Sequence, residues 1–468
     1  MIHLTLVSVR IWIILPMIHI HAVYCISQKY PKGSIKRIKM KSLVYCGLVV
    51  ICFLVCGSCK KETQVREHPV KSTMELTAAD ILGNPNYQAI SYGGYRQNTR
   101  DIQPTFEELK ADLRILEAMG IKVLRTYNVQ LYHASNLLLA IRALKNEDPD
   151  FEMYVMLGAW IDCKNAWTDK EPDHQQESRA NAGEIAQAVV LANAYPDIVK
   201  VIAVGNEAMI KWAASYYVQP EVILKWVTHL QNLKAEGKLP ASLWITSSDD
   251  FASWGGGEEQ YHTPALTELI EAVDFISMHT YPYHNTHYNP EFWKVPETEE
   301  NLTDIEKVDA AMIRAVEFAK NQYRAVSGYV KGLGFEKPVH IGETGWASVS
   351  DGFYGPEGSR ATDQYKQALY YKLIREWTDK EGISCFYFEA FNEPWKDAAN
   401  KTGSENHFGL FTAEGHAKYV LWDMVDRGVF NGLSRNGSPI KKTNGGVKDS
   451  VLLKVFPPPA QNEKIEAN

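Results

Sequence analysis

Short apolar runs alternate with longer amphipathic stretches along most of this chain, and this alternation restricts its fold more than any other feature of the sequence. Apolar runs of about four to eight residues are typical of buried strands, and the stretches between them have helical spacing. The predicted strands are Ala89–Tyr92, Val123–Tyr127, Met153–Leu157, Val199–Val204, Leu243–Ser247, Phe275–His279, Pro338–Gly342 and Ser384–Phe388. The predicted helices are Phe106–Met119, Asn136–Leu144, Ala180–Ala194, Pro220–Glu236, Pro264–Ala272, Asp304–Val330, Thr362–Thr378 and Ala413–Val425.

Eight strand–helix cycles predict one catalytic α/β domain over residues 81–430, folded as a (β/α)8 TIM barrel with insertions in its loops. An open doubly wound sheet has the same alternation and is the alternative. Such a sheet often carries a glycine-rich phosphate loop after its first strand, but Ser91–Tyr95 lacks the GxGxxG spacing. We therefore expect the closed barrel. Thr105 and Glu108 predict a capping box for the first helix, and Gly120 predicts its end.

The N-terminal part of the chain carries the pattern of an export signal. Lys41 precedes an apolar run, Leu43–Val55, which is too short to span a bilayer but suits the core of a signal peptide. Small residues then lead to Cys59. Residues 40–59 resemble a bacterial lipoprotein signal, and the resemblance implies that Cys59 is lipidated. We expect an exported protein, held by its lipid at the outer membrane or cell surface.

Three further segments lie outside the signal and the barrel: residues 1–39, 60–80 and 431–468. Residues 1–39 predict a misassigned upstream leader, with true initiation at Met40. The alternative is a genuine two-helix membrane anchor, although both apolar stretches are short for a span. Residues 60–80 are expected to form a polar tether. Residues 431–468 are rich in glycine, asparagine and proline, which predicts an irregular C-terminal tail.

Charge and cysteine content exclude several functional classes. The formal net charge is −7 and no basic stripe is present, so we expect no nucleic-acid partner. Only Cys163 and Cys385 lie outside the leader, which implies no disulfide framework. No Cys/His cluster has zinc spacing, and His279, His284 and His287 are interpreted as a polar loop. We expect no metal and no cofactor, and a monomeric protein.

Two glutamates stand where a barrel enzyme places its catalytic groups. Glu207 follows the fourth predicted strand and Glu343 follows the seventh. Active sites of TIM barrels form at the C-terminal ends of the strands, and strands four and seven lie on opposite sides of that cleft. A single carboxylate at such a strand end can equally be an ordinary charged residue of a loop. Two facing carboxylates match glycoside hydrolysis, which needs one acid and one nucleophile or base.

Several motifs surround this pair: Asn206-Glu207, Gly342-Glu343-Thr344-Gly345-Trp346, Tyr281-Pro282-Tyr283, Arg125-Thr126-Tyr127 and the run Phe388–Lys396. Together they resemble glycoside hydrolase family 17, a family of (β/α)8 retaining glycosidases that acts on β-1,3-glucans. The resemblance spans roughly residues 85–425. It implies that Glu207 is the acid/base and Glu343 the nucleophile, with the two carboxyl groups about 5 to 5.5 Å apart.

The same resemblance implies a set of substrate-binding residues. Asn206 suits the sugar 2-hydroxyl, or alternatively caps the next helix. Arg125 or Tyr281 is expected to donate a hydrogen bond to Glu343. Glu393 and Lys396 either contact the sugar or form an ion-pair network that braces the cleft. The remaining members of the predicted set are Tyr127 and the indoles of Trp160, Trp346 and Trp395, which either stack on glucose or belong to the core.

Three functions of different classes remain open at this point. The first is hydrolysis of a laminarin-type β-1,3-glucan. The second is transfer of the covalent intermediate to a sugar acceptor, which makes the chain a glucanosyltransferase. The third is non-catalytic glycan binding by a surface lipoprotein, because a fold does not fix a function. Retention of both Glu207 and Glu343 at strand ends favours an enzyme, since a binding protein has no need of the pair.

Overall fold

Eight parallel strands close into a barrel in the computed structural model, which describes residues 76–465. The strands are β1 (Gln88–Ser91), β2 (Ile121–Arg125), β3 (Tyr154–Ala159), β4 (Val199–Asn206), β5 (Trp244–Asp250), β6 (Ile276–His279), β7 (Val339–Gly345) and β8 (Cys385–Phe388). Each strand pairs with its neighbours in chain order, and β1 closes the ring by pairing with β8 through Ala89 and Phe386. The predicted TIM barrel is confirmed.

Helices surround the barrel and follow the predicted alternation. They are α1 (Ala78–Ile81), α2 (Phe106–Ala118), α3 (Tyr132–Glu147), α4 (Asn181–Ala194), α5 (Pro220–Ala235), α6 (Pro264–Ala272), α7 (Pro282–Tyr288), α8 (Asp304–Gly332), α9 (Gln364–Glu381), α10 (Trp422–Asp426) and α11 (Lys448–Leu452). The predicted capping box opens α2, since Thr105 and Glu108 bond each other's backbone N–H. None of the helices between residues 76 and 465 combines the length and the apolar character that a membrane crossing requires.

The N-terminal end of the barrel is closed by α1. Ala78 and Ile81 pack against side chains from inside the barrel, including Ala89, Val123 and Phe386. The turn after α1 is held by a hydrogen bond of 2.9 Å from the backbone N–H of Gly83 to the hydroxyl of Ser384, just before β8 begins. The opposite end, where the strands terminate, is therefore the end that can receive a substrate.

The last predicted helix, Ala413–Val425, is wrong over its first half. The chain turns tightly there, with Gly415 at a φ of +93° and its N–H bonded to the carbonyl of Thr412. Ala417 then forms an antiparallel bridge with Phe411. A chain held in such a turn cannot keep helical dihedrals, so only a short 3-10 turn and α10 remain of the predicted helix.

Two segments outside the barrel cycles have structure of their own. A small antiparallel hairpin, Cys163–Lys164 with Asp173–Glu177, follows β3. The C-terminal segment that was predicted to be irregular contains a second hairpin, Ser434–Arg435 with Ser438–Pro439, and the helix α11. It also contacts the segment between α7 and α8, since the N–H of Val295 donates to the carbonyl of Pro459 at 2.9 Å.

Candidate active site

The two glutamates singled out in the sequence meet at the open end of the barrel. Glu343 lies in β7 and is 6% exposed, and Glu207 directly follows β4. A carboxylate oxygen of one lies within 4.8 Å of a carboxylate oxygen of the other. Glu207 has a φ of +46°, a conformation that non-glycine residues avoid, and its N–H is held by the carbonyl of Ser248 at 3.0 Å. The backbone after β4 is thus fixed in an unusual shape that turns Glu207 toward Glu343.

Three donors surround Glu343. Its Oε2 accepts hydrogen bonds from Arg125 and from the Tyr127 hydroxyl, the latter at 2.7 Å, and its Oε1 accepts from the Tyr281 hydroxyl at 2.6 Å. Burial alone raises the pKa of this carboxyl, but His279, the Arg125 charge and the two hydroxyls outweigh burial and lower the pKa to about 2. Both donors proposed from the sequence are present, and Tyr127 is a third.

The pKa of Glu207 is shifted in the opposite direction to that of Glu343. Burial and the negative charge of Glu343 raise the pKa of Glu207 to about 8, so it keeps its proton at neutral pH. The nearest polar partner of its Oε1 is Nδ1 of His279, at 3.0 Å. Burial lowers the pKa of His279 to about 4, so this imidazole is neutral at neutral pH. One carboxyl is therefore ready to donate a proton while the other is ionised.

Asn206 is connected to the same network. Its Oδ1 accepts a hydrogen bond of 2.5 Å from the second Arg125 guanidinium nitrogen, and Arg125 also donates to the carbonyl of Gly342 at 3.0 Å. The amide oxygen of Asn206 therefore faces Arg125, and the amide NH2 group faces away from Arg125. Asn206 does not cap the next helix, because the N-cap of α5 is Gln219.

His279 is a site residue that the sequence interpretation missed. We had grouped it with His284 and His287 in a polar loop, but it is the last residue of β6 and is fully buried. Its Nε2 is 2.8 Å from the hydroxyl of Ser248, which is 2.9 Å from the hydroxyl of Ser277. The signal that could have identified it is its position at the end of the predicted strand Phe275–His279, two residues before Tyr281.

The charged residues after β8 form an ion-pair network. Lys396 Nζ donates to Glu389 at 2.8 Å, lies 3.5 Å from Glu393 and sits 3.7 Å from the ring centroid of Phe388. Glu393 also accepts from the N–H of Tyr95 at 3.2 Å. All three charged side chains are largely buried. These contacts correspond to the bracing alternative that the sequence left open for Glu393 and Lys396.

The three candidate indoles have different surroundings. Trp346 is fully buried, and its Nε1 donates to the carbonyl of Ala361 at 2.8 Å. The prediction that it stacks on a sugar is therefore wrong: its ring packs between the barrel and α9, near Tyr370. Trp395 is half-buried beneath Arg100, whose guanidinium lies 4.4 Å from the ring. Trp160 is half-buried within an aromatic cluster on the loop after β3.

The same centre has the geometry of a cation site. One ligand atom each from Glu207, His279 and Glu343 lies within 4.8 Å of the other two. A metal ion there would compete with the three donors that Glu343 already accepts from and would stand beside the Arg125 charge. The donor set therefore favours an acid paired with an ionised carboxylate over a metal centre.

A closed (β/α)8 barrel that joins a protonated and an ionised carboxyl across one cleft defines the class of glycoside hydrolases. Residues 89–409, more than half of the chain, match the family described as BtgE/BtgC glycoside hydrolase domain. The chain belongs to this family. The prediction of an O-glycosyl hydrolase is confirmed.

Several known proteins are similar to this chain. The crystal structure of an endo-laminarinase from Formosa Hel1_33_131 is 63% identical, covers 84% of this chain and 100% of its own, and superposes with a TM-score of 0.82. A glucan 1,3-beta-glucosidase of Arthroderma benhamiae is 25% identical over 320 residues, which are 67% of this chain and 83% of that protein. A probable glucan endo-1,3-beta-glucosidase btgC of Aspergillus fumigatus is 24% identical over 312 residues, 65% of this chain but only 37% of the relative.

Proposed function

We propose that this protein is a retaining endo-β-1,3-glucanase of glycoside hydrolase family 17 that cleaves laminarin-type glucan. The observation that carries the proposal is the pair Glu207 and Glu343, with oxygens within 4.8 Å and pKa values shifted in opposite directions. Retaining glycosidases hold their carboxyl groups about 5 to 5.5 Å apart, whereas inverting enzymes leave roughly 6.5 to 9.5 Å for a water molecule. The relative at 63% identity, described as an endo-laminarinase, supports the choice of substrate.

The first chemical step uses the two glutamates in separate roles. Glu343, ionised, attacks the anomeric carbon, and the bond from this carbon to the glycosidic oxygen breaks. Glu207 gives its proton to that departing oxygen, which leaves as the hydroxyl of the shortened chain. The products of the step are a glucosyl ester on Glu343 and an ionised Glu207. Loss of the negative charge on Glu343 removes the main electrostatic reason for Glu207 to stay protonated.

The second step reverses these roles. Glu207, now a base, takes a proton from a water molecule whose oxygen attacks the anomeric carbon. The ester bond breaks, Glu343 regains its charge, and the sugar leaves with its original anomeric configuration. Arg125, Tyr127 and Tyr281 are already in place to accept the returning carboxylate. We assign Asn206 to the sugar 2-hydroxyl, a contact that strengthens as positive charge develops on the ring.

The test combines products, stereochemistry and one variant. Wild-type protein should release laminari-oligosaccharides from laminarin, and proton NMR of fresh products should detect the β-anomer first. The E343Q variant should lose roughly 10⁴-fold or more in kcat, since it keeps the volume of the side chain but removes the nucleophile. E336Q is a matched control, because Glu336 is exposed in the loop before β7, at the opposite end of the barrel.

Two results would contradict the proposal. Near-normal glucan hydrolysis by E343Q, with unchanged folding, would remove Glu343 from the nucleophile role. Early release of the α-anomer would mean inversion and therefore a different use of the carboxyl pair. Products longer than the substrate would instead identify the chain as a glucanosyltransferase that uses the same covalent intermediate.

We propose further that the enzyme is exported and lipid-anchored at the outer membrane or surface of a bacterial cell. The support is the sequence pattern ending at Cys59, which lies outside the residues that the structure describes. The substitution C59A in the full chain should move the protein from the membrane fraction to the soluble fraction after expression in a bacterium that acylates lipoproteins. An unchanged membrane fraction, or absence of a lipid mass on the Cys59 peptide, would contradict this anchor.

A further inference from the structure

Three aromatic side chains form a contiguous cluster of rings on the loops that follow β3 and β4. We call Trp160, Trp167 and Tyr216 the aromatic platform. The rings of Trp167 and Tyr216 are stacked, with centroids 5.1 Å apart and planes at 23°, and the Trp160 ring lies 5.2 Å from that of Tyr216. Tyr216 is 9% exposed, whereas Trp167 is 63% exposed. Most of the outermost ring is therefore left open to solvent.

The position of Trp167 is built into the chain and is not a frayed end. It sits in the turn of the hairpin after β3, at a φ of +60°, which a bulky residue seldom adopts. The turn around it is closed by hydrogen bonds from Thr168 to the carbonyl of Asn165 and from the Asn165 amide to the carbonyl of Glu171, at 2.7 and 3.0 Å. A large apolar ring held out to solvent on a fixed turn indicates a binding surface.

The platform is attached to the segment that carries Glu207. The N–H of Cys163 donates to the carbonyl of Tyr216 at 3.0 Å, and the N–H of Val218 donates to the carbonyl of Ala208 at 2.7 Å, one residue after Glu207. The Tyr216 ring also lies within the field of the catalytic centre. Burial first, and then the negative charge of Glu207 ahead of that of Asp249 and Glu343, raise the pKa of its phenol. The platform thus adjoins Glu207, the carboxyl that faces the leaving oxygen.

We propose that the aromatic platform binds glucose rings of the leaving-group segment of a β-glucan, on the Glu207 side of the bond that is cut. The occupant follows from chemistry and continuity. Glucose rings present apolar C–H faces that suit the flat face of an indole, and backbone hydrogen bonds join the platform to the chain segment that carries Glu207. The inference rests on the proposed function, because only the acid role of Glu207 identifies this side with the leaving group.

The decisive experiment compares two substrates with different leaving groups. The leaving group of laminarihexaose is a sugar chain that can cover the platform. The leaving group of β-laminaribiosyl fluoride is fluoride, which places no ring there. W167A should lower kcat/KM for laminarihexaose by roughly five- to tenfold, which is the loss expected for one stacking contact. It should leave kcat/KM for the fluoride within about twofold. W167F, which keeps an aromatic face, should restore most of the activity on laminarihexaose.

Trp212 offers the matched control. It lies on the loop after β4, is 62% exposed and is not part of the platform. W212A should behave as wild type on both substrates. Melting temperatures of the variants verify that the hairpin substitutions leave the fold intact. An equal loss on both substrates in W167A, or no loss on laminarihexaose, would overturn the platform proposal.

Failure of the platform and failure of the proposed function give different results. Binding of laminarihexaose by calorimetry in the E343Q background does not depend on turnover. If W167A weakens this binding while wild type hydrolyses no glucan, the platform is a glucan-binding surface, but the proposed function falls and the assignment to the leaving group falls with it. If wild type hydrolyses laminarin and W167A changes neither binding nor rate, the platform falls and the proposed function stands. Absence of both binding and hydrolysis overturns both.

Discussion

Glu207 and Glu343 share one buried cleft, yet the pKa of one is raised and that of the other is lowered. The difference lies in their donors. Glu343 accepts from Arg125, which is permanently charged, and from two hydroxyls, so its ionised form is stabilised. Glu207 has a neutral imidazole beside it, so burial and repulsion by Glu343 favour its protonated form. Because each carboxyl influences the other, the acid and the nucleophile are defined as a pair.

His279 should act as a positioning residue for Glu207. Its Nδ1 holds Glu207 Oε1 at 3.0 Å, and Ser248 fixes the other ring nitrogen. H279A should lower kcat/KM for laminarin by roughly 10²-fold, the lower range of what a well-placed general acid contributes. The loss should be within a few-fold for 2,4-dinitrophenyl β-laminaribioside, because a good leaving group needs no proton. Parallel rate measurements on the two substrates test this, and equal losses on both would assign His279 a merely structural role.

The carboxyl pair could be located from the sequence, but parts of its surroundings could not. Glu207 and Glu343 each follow an apolar run at the end of a strand, and strand ends of a barrel converge. Whether an aromatic ring just after a strand points into the cleft or into the core depends on the path that the backbone takes after the strand ends. Trp346 leaves β7 into the layer between barrel and α9, and so becomes core. His279 ends the predicted strand Phe275–His279, but its role was missed because its bonding partners, Glu207 and Ser248, are distant in the chain and cannot be read from the local sequence.

At the scale of elements, periodicity located the strands and most helices because each barrel cycle buries one apolar strand and one apolar helix face. All eight barrel strands overlap their predicted ranges. The hairpin Cys163–Lys164 with Asp173–Glu177 was not predicted, since its short and largely polar strands have no apolar pattern to detect. The tight turn at Gly415 was missed because the helical spacing of Ala413–Val425 was given more weight than the glycine within it, which is a local signal for a turn.

The C-terminal hairpin should contribute measurably to stability through Arg435. This side chain is fully buried, and its Nε donates to Asp112 of α2 at 2.9 Å. R435A leaves the buried Asp112 carboxylate with Arg96 as its remaining cation, so we expect a loss of about 3 kcal/mol in the free energy of unfolding. Urea unfolding measures the loss. Arg427 is an exposed arginine after α10, and R427A should change the free energy of unfolding by no more than about 0.5 kcal/mol.

A double-mutant cycle with D112A isolates the pair. If Arg435 acts through Asp112, removing both side chains should change stability by less than the sum of the single effects. Strict additivity would mean that Arg435 stabilises the hairpin through its other contacts, which are the carbonyls of Ala413 and Gly94 and the ring of Phe391. The cycle thus distinguishes the ion pair that joins the C-terminal hairpin to α2 from these other contacts.

At the scale of the whole molecule, the catalytic arrangement has a consequence for stability as a function of pH. The pKa of Glu207 is raised to about 8 in the folded protein, so between its ordinary pKa of 4.5 and about pH 8 the folded state holds a proton that the unfolded state has lost. Stability therefore falls as pH rises through this window. Half-buried Asp250, the last residue of β5, has its pKa also raised to about 8 by desolvation and acts in the same direction. Glu343, lowered to about 2, acts oppositely, and its stabilisation is lost as pH falls from 4.5 to about 2.

E207Q should therefore be most stabilising under alkaline conditions. Glutamine is neutral at every pH, so E207Q avoids the loss of stability that wild type undergoes as pH rises from 4.5 to about 8, the range in which unfolded Glu207 has released its proton but folded Glu207 keeps it. We expect the melting temperature of E207Q to exceed that of wild type by about 3 °C more at pH 9 than at pH 5. Calorimetric scans at the two pH values, with E336Q as the exposed control, provide the measurement. The same difference at both pH values would mean that Glu207 is not held protonated by the fold, and would leave the acid in the first chemical step without its physical basis.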